Sequence, residues 1–215
     1  MTDKVKKSIA DADLFMMCPR LNTAALSELP IGYHIRRIHE DELDIWKRMP
    51  FDDEKAAGEY QHYMNGFFNR VYALKKDQFF ERCLFVCDSD DSPVGTCFLW
   101  EAHGIIPTIH WFKVRKEYEG RGIGRALLSE VMKSVVEYPV YLHTQAGSFR
   151  AIKLYSDFGF YLLTDPLIGA RTNEIEIGLP YLKEHMPEDE CEKLRFHNAE
   201  DKFLRVIADN PGDEF

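Results

Sequence analysis

A chain of 215 residues, 45% hydrophobic and 29% charged, can bury a core of its own and has the balance of an ordinary globular domain. Its formal charge of -9 at pH 7, with no basic tract, argues against a surface built to neutralise nucleic-acid phosphates and favours a cationic or neutral partner over an anionic one. No apolar run approaches the length that spans a bilayer, so no membrane partner is expected.

Residues 1–30 carry mixed signals and end at Leu29-Pro30; they are expected to be an N-terminal extension. Gly32–Ile38 has the pattern of a short strand, with Tyr33, Ile35 and Arg37 on one side. Asp41–Arg48 places acids first and bases last, as a helix dipole prefers, and Pro50 ends it. Asp52-Asp53-Glu54 then opens a helix to about Lys76, whose Tyr60, Tyr63, Met64, Phe67, Phe68, Val71, Tyr72 and Leu74 recur at helical spacing. Such an aromatic stripe serves as core or as the wall of a pocket. Cys83–Cys87 and Val94–Trp100 are strands joined by the polar cluster Asp88–Pro93, and Thr108–Val114 is another after the breakers Gly104 and Pro107.

The glycines of Glu119-Gly120-Arg121-Gly122-Ile123-Gly124 come next, and a helix follows them. Ala126, Leu127, Leu128, Val131, Met132, Val135 and Val136 share one face of that helix, while Arg125, Ser129, Glu130 and Lys133 face away. Tyr138–Thr144 is a strand, and Ser148 can cap a helix carrying Ala151, Ile152, Tyr155 and Phe158 that stops at Gly159. Phe160–Leu163 and Glu174–Ile177 are the last expected strands, and Glu188 to about Ala208 one helix. With no repeat or low-complexity linker, the reading is one α+β domain over 31–180 with a C-terminal helical extension and tail over 181–215.

Cys18, Cys83, Cys87, Cys97 and Cys191 form no C-x-x-C pair and are odd in number, so reduced thiols are expected, with Cys87 and Cys97 buried in strands. The eight histidines show no H-E-x-x-H or H-x-E spacing, so no metal site is indicated. Leu14–Cys18 is too short, and too closely preceded by Asp11 and Asp13, to be a signal peptide; the cytoplasm is the expected location.

Glycines at alternate positions let the backbone turn sharply, and a helix that starts there aims its unpaired N–H groups at the loop, a geometry suited to phosphate. A nucleoside-triphosphate loop needs Lys-Ser or Lys-Thr after the last glycine, and none is present. A dinucleotide fingerprint fails too, because the series from Gly120 meets Arg125 and that from Gly122 meets Leu127. The stretch Glu119–Gly124 resembles the pyrophosphate loop [Q/R]-x-x-G-x-[G/A] of the GNAT superfamily of acetyl-CoA-dependent N-acetyltransferases, with Glu119 in place of Gln or Arg. A second stretch is similar to the family's N-x-x-A-x-x-L-Y-x-x-x-G-F, matching at Ala151, Leu154, Tyr155, Gly159 and Phe160, with Ser148 in place of Asn. The resemblance covers roughly residues 31–165.

That resemblance implies a mixed, mostly antiparallel twisted sheet flanked by helices. It implies acetyl-CoA as cosubstrate, direct attack by a primary amine of a small molecule or peptide, and Tyr155 as general acid for the departing thiolate. The backbone of Phe112, Lys113 and Val114 would meet the pantetheine arm; Glu119, Gly120, Arg121, Gly122, Ile123, Gly124 and Arg125 would surround the pyrophosphate, with Ser148 and Tyr155 nearby. His110 and His143, on the strands that part in the family, are candidate bases beside water itself, and Glu101 is a further candidate. The alternative is a catalytically silent acyl-CoA-binding or regulatory protein, and transfer of a longer acyl chain is a third reading. A homodimer is open, because the C-terminal strand and helix can complete a monomer or build an interface.

Overall fold

The computed structural model describes residues 8–210 and Glu214. In chain order the strands are β1 (Asp13–Cys18), β2 (His34–Arg37), β3 (Leu84–Cys87), β4 (Pro93–Ala102), β5 (Ile106–Val114), β6 (Val140–Gln145), β7 (Tyr161–Leu163), β8 (Leu167–Ile168), β9 (Arg171–Thr172) and β10 (Phe196–His197). The helices are α1 (Leu43–Arg48), α2 (Glu54–Glu59), α3 (Gln61–Val71), α4 (Lys76–Arg82), α5 (Ile123–Lys133), α6 (Phe149–Phe158), α7 (Ile175–His185), α8 (Glu188–Cys191) and α9 (Asp201–Asp209). Eight strands form one sheet in the order β10-β7-β1-β6-β5-β4-β3-β2, and β8 pairs with β9. All pairs in the large sheet are antiparallel except β5–β6 and β7–β10. The expected α+β, mostly antiparallel architecture holds.

The N-terminus corrects the sequence reading. Residues 13–18 are no extension but a central strand, inserted between β6 and β7. Every residue from Leu14 to Cys18 is buried. A strand covered on both faces needs apolar side chains at every position, and loses the alternation that identifies a strand. Leu14, Met16 and Cys18 pack into the core beneath α5, α6 and α7, while Phe15 and Met17 pack into a second core with Phe203 and Ile207 of α9. Glu174–Ile177, expected to be a strand, instead begins α7; the Glu174 N–H donates to the Asp13 carbonyl, and the Asp13 N–H to the Glu174 carboxylate.

Two long helices also break. The stretch 52–76 becomes α2 and α3, which meet at Tyr60, then a turn and α4. Continuing α3 would have kept Leu74 on the apolar face; the turn leaves it 96% exposed and returns Phe79 to the core. There Trp46 of α1 packs edge-on against Phe68 and Phe79, with ring centroids 6.2 and 5.0 Å away. Each such fully buried side chain contributes about 1.5–3 kcal/mol of transfer free energy. Likewise 188–208 is α8, β10 and α9, because Leu194 turns into the core and the Arg195 carbonyl accepts from the Leu162 N–H. α5 ends at Lys133, which leaves Val136 exposed; Ser129, expected outside, is buried, accepting from the Ser27 N–H and donating to the Arg125 carbonyl.

The three cores set out the molecule. One lies beneath α5–α7 on one face of the sheet. The opposite face carries the aromatic core of α1–α4 on one side and the α9 core on the other. Among the described residues no helix is long and apolar enough to cross a membrane.

Candidate active site

The glycine loop forms as its composition requires. Gly120 and Gly122 have φ of +75° and +82°, in the left-handed region where a side chain is strained. Gly124 is helical, but a Cβ there would stand 3.2 Å from Phe112 Cζ on β5. The last glycine thus brings the start of α5 against the strand. No side chain caps α5, so its first N–H groups face the loop with the positive end of the helix dipole.

Side chains around the loop divide unevenly. Arg121 lies over the Tyr118 ring at 5.2 Å and donates to the Tyr33 hydroxyl and the Glu117 carbonyl. Glu119 pairs with Arg150 at 3.0 Å, which ties the loop to the start of α6 and neutralises the acid that departs from the motif. Arg125 is committed elsewhere: it donates to Asp157 and to the Ala25 carbonyl, clamping α5 to α6 and the N-terminal segment rather than standing over the loop. Ser148 ends a short turn before α6 and makes no capping hydrogen bond, contrary to expectation, yet it lines the same cavity.

β5 carries the second feature. Its pairing with β4 slips between Thr96 and Phe98, and Trp111 opposite the slip has φ of +52°. Strict alternation would send Trp111 to the α5 face; the bulge turns it, together with its neighbour His110, onto the aromatic core beneath α1–α4. Phe112 and Val114 point to the α5 side. Towards β6 the strand pairs at Thr108–Tyr141 alone and then parts from it. The backbone of Phe112, Lys113 and Val114 therefore borders an open gap between two parallel strands.

A cavity of about 1070 Å³ passes along this gap. Phe112, Lys113, Ser148 and Tyr155 line it, as do His110, His143, Arg171 and an aromatic bank of Phe51, Tyr60, Tyr63 and Phe67. Tyr155 projects from α6, its ring 5.7 Å from those of Phe112 and Phe160. Burial raises its pKa well above the usual phenol value, so it holds its proton. Among the described residues no group bonds its hydroxyl.

The Acetyltransferase (GNAT) family model matches residues 38–160, over half of the chain. The chain belongs to the GNAT acetyltransferase family. It is 27% identical to the mycothiol acetyltransferase of Corynebacterium aurimucosum over a stretch covering 38% of this chain and 35% of that relative. A GCN5-related N-acetyltransferase from Sphaerobacter thermophilus superposes with a TM-score of 0.51 and 24% identity, over 71% of this chain and 49% of that one. A tandem GNAT protein from the clavulanic acid biosynthesis pathway gives 0.53 and 12%, over 72% and 51%. At these identities the two structures share the fold with this chain, which spans about half their length and a third of the curated relative's.

Within this GNAT fold the two histidines have different fates. His110 is 6% exposed, and burial pushes its pKa down to about 3. It stands in the cavity wall as expected, but its environment disfavours the imidazolium a base must become. His143 is only part-buried, and its Nε2 lies 2.7 Å from both Asp13 Oδ1 and the Arg171 guanidinium. Protonated, Nε2 donates to Asp13; unprotonated, it accepts from Arg171, so both charge states of the ring have a partner. Glu101 pairs with Arg82 at 3.0 Å and does not line the cavity.

Asp13 and Arg171 were missed because they come from segments with no motif, one the misread N-terminal strand and the other β9. Only the five-residue apolar run after Asp13 hinted at a buried strand there. At the far edge of the sheet His34, Cys87 and Asp91 bring ligand-type atoms within 4.8 Å of one another. That carboxylate is already held by Arg36 and His34, and burial pushes the Cys87 thiol up to about 12.

Proposed function

We propose that this protein transfers the acetyl group of acetyl-CoA to a primary amine by direct attack. The observation that carries the reading is the parting of β5 from β6 at a cavity lined by Phe112 and Tyr155, with the glycine start of α5 packed against that same Phe112. The fit of the cosubstrate rests on this chain's own groups. Uncapped N–H groups at the start of α5 suit a pyrophosphate, Gly120 and Gly122 keep the approach free of side chains, and the exposed backbone edge of β5 suits the amides of a pantetheine arm.

The amine nitrogen attacks the thioester carbon, and the carbonyl π pair moves to oxygen. Collapse re-forms the carbonyl and breaks the C–S bond, and Tyr155 gives its proton to the departing thiolate. The proton lost by the amine goes to His143, which Asp13 orients and stabilises once charged. A raised phenol pKa means that Tyr155 still carries its proton at the pH where the thiolate departs, so a donor stands beside the sulfur. The aromatic bank suits an acceptor with an apolar body beside its amine.

Calorimetric titration with acetyl-CoA and with CoA tests the cosubstrate. Dissociation constants of micromolar order, about -8 kcal/mol, that are lost in an Arg121→Glu, Gly124→Glu double variant support the loop's role. Thiol release against a panel of amines then identifies the acceptor. Failure of both ligands to bind overturns the reading.

A further inference from the structure

We infer that His110 is a neutral hydrogen-bond donor to the carbonyl oxygen of the acyl group, and that Tyr72 is the positioning residue that fixes it in that form. This inference rests on the acyl-transfer reading above. Tyr72 follows α3 and is fully buried. Its hydroxyl lies 3.0 Å from Trp111 Nε1 and 2.5 Å from His110 Nδ1. An indole nitrogen only donates, so the Tyr72 oxygen accepts from Trp111. Its own proton must then go to His110 Nδ1, because a buried O–H without an acceptor costs about 1–3 kcal/mol. Nδ1 is therefore a lone pair, and the ring proton sits on Nε2.

Burial holds both partners in these states. It raises the Tyr72 pKa well above the usual value, so the phenol keeps its proton, and it keeps the imidazole uncharged. Near neutrality His110 thus presents an N–H at Nε2 and no lone pair there, which is wrong for a base and right for an oxygen gaining negative charge. The ring lines the cavity two residues from Phe112, where the β5–β6 gap opens. The backbone of Glu214 also acts on this ring, in the direction that favours a proton on it. With Nδ1 taken by Tyr72, Nε2–H is the group left to meet the acyl carbonyl oxygen. When the amine attacks and the π pair moves to oxygen, the bond to Nε2–H strengthens; His110 transfers no proton. Tyr72 also bonds the last residue before the bulge and the first within it, so one hydroxyl sets the tautomer and holds Trp111 in its left-handed conformation.

Nitrogen-detected NMR on full-length protein labelled with 15N at histidine tests this without an acceptor. The expected result is a His110 ring protonated on Nε2, with no titration between about pH 5 and 8, whose Nε2–H resonance shifts with acetyl-CoA but not with CoA, which lacks the carbonyl. Tyr72→Phe should mix the two tautomers. In acetyl-CoA hydrolysis, His110→Leu should lose about a hundredfold in rate, while His110→Gln, which restores an N–H near Nε2, should recover much of it. Calorimetry on the same samples separates the two failures. If neither ligand binds, the acyl-transfer reading and this inference fall together. If both bind but shift the resonance alike, or if the ring carries its proton on Nδ1 or titrates near neutrality, the donor role alone is overturned.

Discussion

One end of the candidate site is built from backbone, the other from side chains. At the α5 end lie helix N–H groups, glycines and the unpaired edge of β5, supplied by one continuous stretch from Phe112 to Gly124. At the opposite end, Asp13 comes from β1, the aromatic bank from the loop after α1 and from α2–α3, His143 from β6 and Arg171 from β9. These residues span most of the chain and meet only because the sheet brings them together. The difference has a chemical sense. On the proposed reading, the cosubstrate is met by backbone geometry that tolerates side-chain substitution, whereas the acceptor is met by side chains.

The largest effect should come from breaking the strand on which Asp13 stands. Met16→Asp puts a carboxylate on a fully buried position of β1 and should cost more than about 4 kcal/mol, enough to unfold the protein, as circular dichroism would report. An unchanged melting transition would mean that β1 is as dispensable as an extension.

Tyr155→Phe tests the proton that the acyl-transfer reading draws from α6. Thiol release should fall roughly 10²–10⁴-fold with acetyl-CoA affinity kept. Because its folded pKa lies well above 10, the wild-type rate should show no loss from Tyr155 deprotonation as pH rises to that value. Asp13→Asn probes the side-chain end alone. It should lower turnover about tenfold and leave calorimetric binding of acetyl-CoA intact; weakened cosubstrate binding would show that the ends are not separable. Gly122→Ala probes the backbone end. At φ of +82°, with no closer neighbour than Pro30 at 3.7 Å, it should cost about 1–2 kcal/mol of stability through strain alone, read by urea denaturation.

The smallest effect belongs to a pair outside both ends. The Arg36 guanidinium holds the Glu42 carboxyl below its ordinary value. A depressed folded pKa means stability that is present above the unfolded value, near 4.5, and lost as pH falls through the folded one. Glu42→Gln should therefore cost about 1 kcal/mol or less at pH 7, with the gap to wild type closing in acid. A gap that persists in acid would assign the loss to packing.

The backbone end was legible in sequence because each of its requirements is local. Positive φ demands glycine at 120 and 122, the approach of α5 to Phe112 demands it at 124, and the apolar spacing of the helix follows within one turn. Tyr155 was legible for the same reason, carried by a helix whose pattern and Gly159 stop lie within a dozen residues. The pairing of Arg125 was not legible, because charge near a loop does not reveal its partner, and Asp157 lies on another helix.

The N-terminal strand illustrates the opposite case. Leu14–Cys18 is uniformly apolar, so its pattern carries no face and no direction. Which two strands it separates is a matter of long-range pairing. The sequence by itself determined the glycine turn, the helix that follows it, the helix that carries Tyr155 and the family to which they belong, since turns and helices are specified by residues a few positions apart. Only the tertiary structure decided that β1 completes the sheet from the front of the chain, that a slip in register turns Trp111 and His110 to the same face, and that Asp13 and Arg171 meet at His143. Those outcomes depend on register and burial between segments as much as 158 residues apart, and a sheet register is chosen by the whole core at once.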